Sequence, residues 1–308
     1  MKLWGVAMAR NEADVIEAFI RHNLTVLDGI AIVDHLSQDG TYEILQAMVE
    51  EGLPVFLARE GALEFDQFAI CNRLARHVFA TSDVDWVFPL DADEFVKTPS
   101  RAALEAALLA DLGAPGATLD WLTYVPTVFA NDALATLRAM RRLPVERHGL
   151  AKVAVSRQFV RADGLAIANG QHHLLRGDAK HHTRVAVPPI SPDIAAIAHV
   201  PVRSARQFTT KIALGWLASL KTLGDAKAVA FHWREAFEYL RSGRPLSALQ
   251  LKAFAVNYSI PMDRWLPVDT VELVDDPFLA DIGVRHAHRG IDDPLALVLA
   301  YAERLIVR

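Results

Sequence analysis

Two carboxylates one residue apart, Asp91 and Asp93, directly follow the apolar run from Val84 to Leu90, and Glu94 and Phe95 come next. Carboxylate oxygens suit a hard divalent cation, and Mg2+ or Mn2+ held this way neutralises the charge that grows on a departing diphosphate. One Asp of such a pair can hold the metal while the other takes a ribose or sugar hydroxyl. The spacing alone carries little weight, because Asp83 and Asp85 repeat it just upstream. Position separates the pairs. Asp83 and Asp85 open the apolar run, whereas Asp91 and Asp93 close it, and open α/β sheets bind ligands beyond the carboxyl ends of their strands. Taken in isolation, Asp91, Asp93 and Glu94 also read as a solvated acidic turn.

Two further polar clusters follow earlier apolar runs. Ala9-Arg10-Asn11-Glu12 comes after Leu3 to Met8, and Asp34, Ser37, Asp39, Gly40 and Thr41 come after Ile30 to Val33. Asp39-Gly40-Thr41 by itself is an ordinary turn and helix start. Three such clusters at strand ends converge on one sheet edge, as a nucleotide cradle requires.

The elements that position them alternate. Leu3 to Met8, Ile30 to Val33, Val55 to Leu57 and Val84 to Leu90 read as strands. Between them lie helical segments: Ile16, Ile20, Leu24 and Leu27 on one stripe, then Thr41 to Val49 and Phe65 to Phe79. This is the pattern of βαβ units and a mainly parallel sheet. From Ala117 to Val200 the text changes to short β-rich pieces (Thr118 to Val125, Lys152 to Val160, Ile194 to Val200) separated by Gly-, Pro- and His-rich loops. After Pro201 it turns helical, over Ala205 to Leu220, Ala226 to Arg241, Leu246 to Tyr258 and Pro294 to Ile306. Asp293-Pro294 has the form of an N-cap followed by proline at the first helical position.

The ordered pieces Arg10-Asn11-Glu12-Ala13-Asp14, Asp34-x-x-Ser37-x-Asp39-Gly40-Thr41, Gln67, and the run from Asp85 to Phe95 resemble bacterial family 2-like glycosyltransferases. Ile197 to Ser204, with Gln207, Phe208 and Lys211 behind it, is similar to the His-x-Pro-x-Arg-Ser segment of that group. The resemblance runs from about Leu3 to Gly215 and does not reach the helical tail. It implies an α/β fold of the GT-A type, a Rossmann-like, mainly parallel sheet flanked by helices with a helical C-terminal tail. The division it implies is a GT-A domain over 1–222, with a nucleotide-sugar-binding half (1–125) and an acceptor half (126–204), followed by a helical extension (223–308). By the same resemblance, Arg10, Asn11, Glu12, Asp34, Ser37, Asp39, Gln67, Asp91 and Arg203 belong to the donor site. Glu12 and Asp34 would contact base and ribose, Asp91 the ribose or sugar, and Arg203 the diphosphate. Asp93 and His199 would hold Mn2+ or Mg2+. The implied activity is transfer of a sugar, with inversion, from a nucleotide-diphosphate sugar, expected to carry uridine, to a glycan or lipid-linked acceptor.

Physical chemistry adds to the His199–Arg203 assignment. Pro201 cannot continue a central strand ladder, so the chain turns there, and Ser204 is placed to cap a helix from Ala205. Free N–H groups at a helix start, beside a guanidinium fork, suit a diphosphate. The plain alternative is a structural turn.

An inverting transfer needs a carboxylate or histidine to take the acceptor's proton. The acidic pair followed by Gln-x-x-Arg-Trp that is usual in the family is missing here. Asp193 and His172 are the candidates carried forward, with Asp178 and Glu146 beside them. Asn169-Gly170-Gln171-His172 is similar to a Gly-Asn-His segment of the relatives. Two adjacent-His pairs, His172-His173 and His181-His182, do not match a usual zinc spacing, and no cysteine lies near them. Trp216, Phe231, Trp233, Phe237 and Tyr239 stand at helical spacing and read as core rather than sugar-stacking residues.

Composition bounds the rest. Over 308 residues, 52% are hydrophobic and the formal net charge is −5, so a large core can form and nothing pulls the chain generally toward nucleic acid. The single Cys71 excludes an internal disulfide and fits a reducing compartment. No apolar run reaches the ~18 residues of a membrane helix and the first nine residues lack signal-peptide features. A cytoplasmic protein is therefore expected, with peripheral membrane association left open because many sugar acceptors are lipid-linked. Rival readings fit less well. A haloacid-dehalogenase-type phosphatase would carry its Asp pair on the first strand, and a nucleotidyltransferase would have a Gly-rich basic first loop. A non-catalytic nucleotide-sugar-binding module stays open while the base is unassigned.

Overall fold

The first strand shows why its sequence is apolar at nearly every position. Leu3 and Ala7 face one side of the sheet, packed with Phe19, Ile20, Leu45 and Met48, while Val6 and Met8 face the other, against Ile70, Leu74 and Val78. A strand covered by helices on both faces has no solvent side and so shows no polar alternation.

The computed structural model describes residues 1–62, 66–110, 113–130, 132–177, 181–223, 231–286 and 293–306. In chain order the first half comprises β1 (Leu3–Ala9), α1 (Ile16–Asn23), β2 (Gly29–Asp34), α2 (Thr41–Glu50), β3 (Val55–Arg59), α3 (Gln67–Thr81), β4 (Trp86–Asp91), β5 (Glu94–Lys97) and α4 (Arg101–Ala110). Then come β6 (Gly116–Pro126), α5 (Ala133–Arg138), β7 (Met140–Arg142), β8 (Ala151–Ser156), α6 (Gln158–Arg161), β9 (Leu165–Ile167), β10 (Leu174–Gly177), β11 (His182–Val185) and β12 (Ala196–His199). The helices α7 (Ala205–Leu223), α8 (Phe231–Arg241), α9 (Ala248–Val256) and α10 (Pro294–Ile306) complete the described strands and α-helices.

The main sheet has the order β3-β2-β1-β4-β8-β6-β12-β5, with β7 on β6. β3, β2, β1 and β4 are parallel, and β12 is parallel to β6. β8 runs antiparallel to both β4 and β6, so β4, β6 and β12 point the same way. His199 therefore ends its strand at the same edge as Asp34 and Asp91. The α/β class, the mainly parallel sheet with flanking helices and the helical C-terminal part match the expectation.

Several element boundaries differ from the sequence reading. Strand β8 stops at Ser156 instead of running to Val160. There the Arg157 guanidinium turns back onto the carbonyls of Phe79, Ser82 and Val84, and α6 begins. Glu94 and Phe95, which the sequence reading assigned to no strand, open β5, paired antiparallel with β12. Phe65, and the segment 226–230 expected to start a helix, lie outside the described residues.

The C-terminal helices share a core with the sheet domain. Val125, Val202, Phe208 and Ile212 pack with Leu251 and Phe254. Phe278 returns to the main core beside Phe95 and Tyr124, at ring separations of 5.1 and 4.6 Å. Tyr301 of α10 packs on Leu214 and Ala218 of α7.

β6 and β8 carry two residues of the site described below, and they meet closely at Gly116. A Cβ added there would lie 2.5 Å from the carbonyl oxygen of Ala154, which belongs to the ladder and cannot swing away. Gly116→Ala should lower the urea midpoint by the equivalent of about 1–3 kcal/mol, the usual cost of overpacking, with the denaturant slope unchanged.

Candidate functional site

The site is built where β1, β2, β4 and β12 end. The loops after β1 and β2 are laced together. Asp39 accepts from the Ala13 amide at 2.9 Å and from the amide and hydroxyl of Thr41, while Thr41 Oγ1 accepts from the Glu12 amide at 2.9 Å. Ser37 Oγ accepts from the Asn11 amide, and Asn11 Oδ1 accepts from the Gln38 amide. Asn11 has φ +54°, a left-handed conformation that Asn tolerates better than most residues. Ser37 and Asp39, expected to touch a donor, are thus committed to bracing these loops. A buried carboxylate with three donors on it has little capacity left for a ligand.

What the loops leave open is a set of buried polar atoms without a protein partner: Asp34 Oδ1, Asn11 Nδ2, and Nε and Nη1 of Arg10. The other Asp34 oxygen accepts from the Ser37 amide and lies 3.3 Å from Arg59 Nε. Burial pushes the Asp34 carboxyl above the usual range. Arg10 lies over the Tyr301 ring, 4.3 Å from its centroid, so α10 closes this side of the cradle.

At the end of β4 the two aspartates have different surroundings. Asp91 Oδ1 accepts from Gln67 Nε2 at 2.7 Å, and Asp91 Oδ2 from Lys152 Nζ at 2.9 Å. Lys152, on β8, is fully buried and also donates to the carbonyl of Gly170 and to Gln171 Oε1, with Glu94 Oε1 2.8 Å away. Glu94 further accepts from Trp121 Nε1 at 2.7 Å and from the Asp91 amide at 3.0 Å. Burial raises the Glu94 pKa, but three N–H donors on one carboxylate serve its charged form. The anions raise the Lys152 pKa despite burial, so the ammonium is kept. Gln67 is a bridge rather than a ligand-facing group, since its other end accepts from the Gly170 amide.

Asp93, buried, presents Oδ2 to Lys211 Nζ, to His199 Nε2 at 3.7 Å and to Arg203 Nη1 at 3.9 Å. Burial works against the charged form, but the Lys211 and Arg203 charges hold the Asp93 carboxyl below the usual range. His199 is stacked on Trp121 at 4.2 Å and its Nδ1 is buried without a partner. Burial keeps it neutral, well below the ordinary histidine pKa.

Arg203, expected at the diphosphate, is engaged by protein carboxylates. Its guanidinium is 1% exposed, makes two bonds to Asp14 at 2.7 and 2.9 Å, and is also paired with Glu12. A buried guanidinium must have its donors filled, and here that ties the loop after β1 to the turn before α7. The helix start is equally closed: Ser204 Oγ accepts from the Gln207 amide, and Gln207 Oε1 from the Arg203 amide. The turn expected to anchor a diphosphate is held as a strut by protein groups, and Glu12 is engaged in the same strut.

Of the base candidates, Asp193 is exposed at the amino end of β12, the opposite end from His199, so the strand itself carries it away from the cluster. Glu146 is taken up by the amide and hydroxyl of Thr123 and by His148 Nε2 at 2.8 Å. Asp178 lies outside the described residues. His172 stands at the site, edge-on to Trp121 at 5.2 Å, and its Nδ1 bonds the Ala151 carbonyl at 2.8 Å. Burial and the Lys152 charge push its pKa down to about 4. Cys71 is buried, its thiol pushed up to about 12, which fits an inert core residue. Asp83 and Asp85 sit at the amino end of β4, Asp83 exposed and Asp85 accepting from the Lys2 amide.

The sequence reading missed Lys152 and Trp121, and left Lys211 out of the site. For Lys152 a signal existed: a single charge within the otherwise apolar run Ala151 to Val155.

No protein-family model matches the sequence, and no curated protein matches it. Solved structures that share similarity include the mannosyltransferase PcManGT from Pyrobaculum calidifontis in complex with GDP-Man and Mn2+. It is 18% identical, with 81% of this chain and 78% of that one covered and a TM-score of 0.39. S. aureus TarS 1–349 in complex with UDP is 11% identical over 85% of this chain and 76% of that one, TM-score 0.38. Glucosyl-3-phosphoglycerate synthase from Mycobacterium tuberculosis, in complex with Mn2+, UDP and phosphoglyceric acid, is 18% identical over 51% of this chain and 56% of that one, TM-score 0.30.

Two outcomes test this geometry. Lys152→Met strands Glu94 as a buried unpaired charge and should cost about 3–5 kcal/mol in chemical denaturation, part of it recovered when Glu94→Gln is added. His172 is held neutral in the fold, with a pKa below its unfolded value. The unfolded chain therefore binds the extra proton, and the stability contributed is complete above about pH 6.5 and lost as pH falls toward about 4. His172→Gln should make the acid-side loss of stability shallower between those pH values.

Proposed function

We propose that this chain is a glycosyltransferase of the GT-A type that takes a sugar from a nucleoside-diphosphate donor. The observation that carries the reading is the set of buried polar atoms without protein partners, on Arg10, Asn11, Asp34 and His199, at the sheet edge where Asp91 and Asp93 also stand. An unpaired buried polar group costs about 1–3 kcal/mol, so four residues bearing such atoms at one edge mark where a polar ligand is received. Asp34, Asn11 and Arg10 form the nucleoside end of the cradle, with uridine the expected base, and Asp91 takes a ribose or sugar hydroxyl. Gln67 and Lys152 hold Asp91 in place.

Among the described residues, no three His, Cys, Asp or Glu side chains converge to hold a metal. Asp93 and His199 provide a carboxylate oxygen and an imidazole nitrogen 3.7 Å apart, with the second imidazole nitrogen unpartnered. Two protein ligands fit Mg2+ or Mn2+ whose remaining positions belong to water and substrate phosphates. Such a cation would neutralise the departing nucleoside diphosphate. His172, neutral with Nδ1–H held by a backbone carbonyl, presents Nε2 as a hydrogen-bond acceptor on the acceptor side. Its depressed pKa makes it a positioning group for the attacking hydroxyl more than a strong base. The acceptor in this reading is a glycan or lipid-linked hydroxyl, and the transfer inverts the anomeric centre. No helix of the described residues is long and apolar enough to cross a membrane.

A nucleoside diphosphate with Mn2+ should raise the melting temperature, since binding to the native state stabilises it by mass action. Asp34→Ala should weaken nucleoside and nucleoside diphosphate alike. Asp93→Asn should lose the Mn2+-dependent part of binding, while Asp83→Asn, at the far end of β4, keeps it. Donor turnover with a cell extract separates a transferase from a module that only binds. Unchanged diphosphate affinity in both Asp34→Ala and Asp93→Asn would remove this edge as the donor site.

A further inference from the structure

Three cations stand around Asp91 and Asp93 at the carboxyl edge, and two of them are committed. Lys152 is 2% exposed, with contacts to Asp91, Glu94, the Gly170 carbonyl and Gln171. Arg203 is 1% exposed and filled by Asp14, Glu12 and the Val200 carbonyl. Lys211 differs. It is 18% exposed, its close partner is the single carboxylate of Asp93, and its ammonium lies 5.9 Å from the Tyr258 ring centroid. It rides on a flexible four-carbon stem from α7, and an ammonium is a point charge with rotatable donors that can change partners at little geometric cost.

We propose that Lys211 is the movable counter-ion of the donor site, pairing with Asp93 before the donor binds and transferring to the diphosphate when it arrives. This rests on the donor-site reading above. The argument is one of charge. The Asp93 contacts described here all fall on Oδ2, and Lys211 is the nearest of them. While the ammonium stays, it occupies Asp93 Oδ2, and a divalent cation alone must compete with it for that carboxylate. A diphosphate alone would meet Asp91, Asp93 and Glu94. When cation and diphosphate come together, Lys211 exchanges one anion for another and no buried charge is left unpaired. The partnerless Nδ1 of His199, on the residue next to Asp93, is an independent sign that the cluster is built for more than a structural ion pair. Lys211 thereby takes the diphosphate role that the locked Arg203 cannot fill.

The test uses calorimetric titration of the full chain and of Lys211→Met, Lys211→Gln and Lys211→Arg. The titrants are MnCl2 alone, uridine, and each of the common nucleoside diphosphates with and without MnCl2. Cooperative thermal unfolding checks that each variant is folded. In Lys211→Met and Lys211→Gln, MnCl2 alone should bind about tenfold tighter or more, and the nucleoside diphosphate about tenfold weaker. Uridine affinity should be unchanged, and Lys211→Arg should retain most of the diphosphate affinity. Folded neutral variants with wild-type affinities for MnCl2 and diphosphate would overturn the role of Lys211 while leaving the donor site standing. So would equal losses for uridine and its diphosphate. A wild-type chain that binds no nucleoside diphosphate, with or without MnCl2, would overturn the donor-site reading and this inference with it.

Discussion

The carboxyl edge of the sheet depends on one buried ammonium. Lys152 leaves the solvent-free interior of β8 and meets Asp91 of the adjacent β4 and Glu94 at the start of β5, together with the loop that carries Gly170 and Gln171. An isolated charge in that environment would be prohibitive, and it is tolerated because each hydrogen finds an oxygen. The consequence reaches outward. Glu94, held by Lys152 and Trp121, accepts a hydrogen bond from the Asp91 amide, so the turn between the two aspartates is set from both sides. Gln67 and Gln171 complete the ring around Asp91.

A second buried network, centred on Arg203, does for the loops what Lys152 does for the strands. The guanidinium joins Asp14 and Glu12, which follow the first strand, to a turn nearly two hundred positions later in the chain. The two networks meet across Trp121, whose indole bonds Glu94 while its face carries His199. Between them the side chains of Asp91 and Asp93 emerge with different partners and different exposure. The proposed division between a sugar hydroxyl and a cation rests on that asymmetry. The C-terminal helices are part of the same construction, with Tyr301 over Arg10 and Tyr258 beside His199.

Much of this was legible in the sequence for a simple reason. Strand and helix periods depend on which faces are covered, and the runs from Leu3 to Leu90 carry both periods clearly. Strand polarity then placed Arg10, Asp34 and Asp91 at one edge, and separated Asp91 and Asp93 from their neighbours Asp83 and Asp85. The order of these elements, the parallel pairing and the convergence of polar clusters were all determined by local pattern and chain direction.

What the tertiary structure decided was the use of each polar side chain. Residue type says what Asp39, Gln67, Glu12 and Arg203 can bond, but not whether a protein partner arrives first. Asp39 meets the Ala13 amide and Arg203 meets Asp14 only because distant loops are brought together. Asp193 and His199, six positions apart, go to opposite ends of a short strand, and only one reaches the site. Lys152 reads as a lone charge in a strand until the fold surrounds it with oxygens. Hydrogen-bond capacity is finite, and in a buried site it is allotted by three-dimensional neighbours, which one-dimensional spacing does not contain.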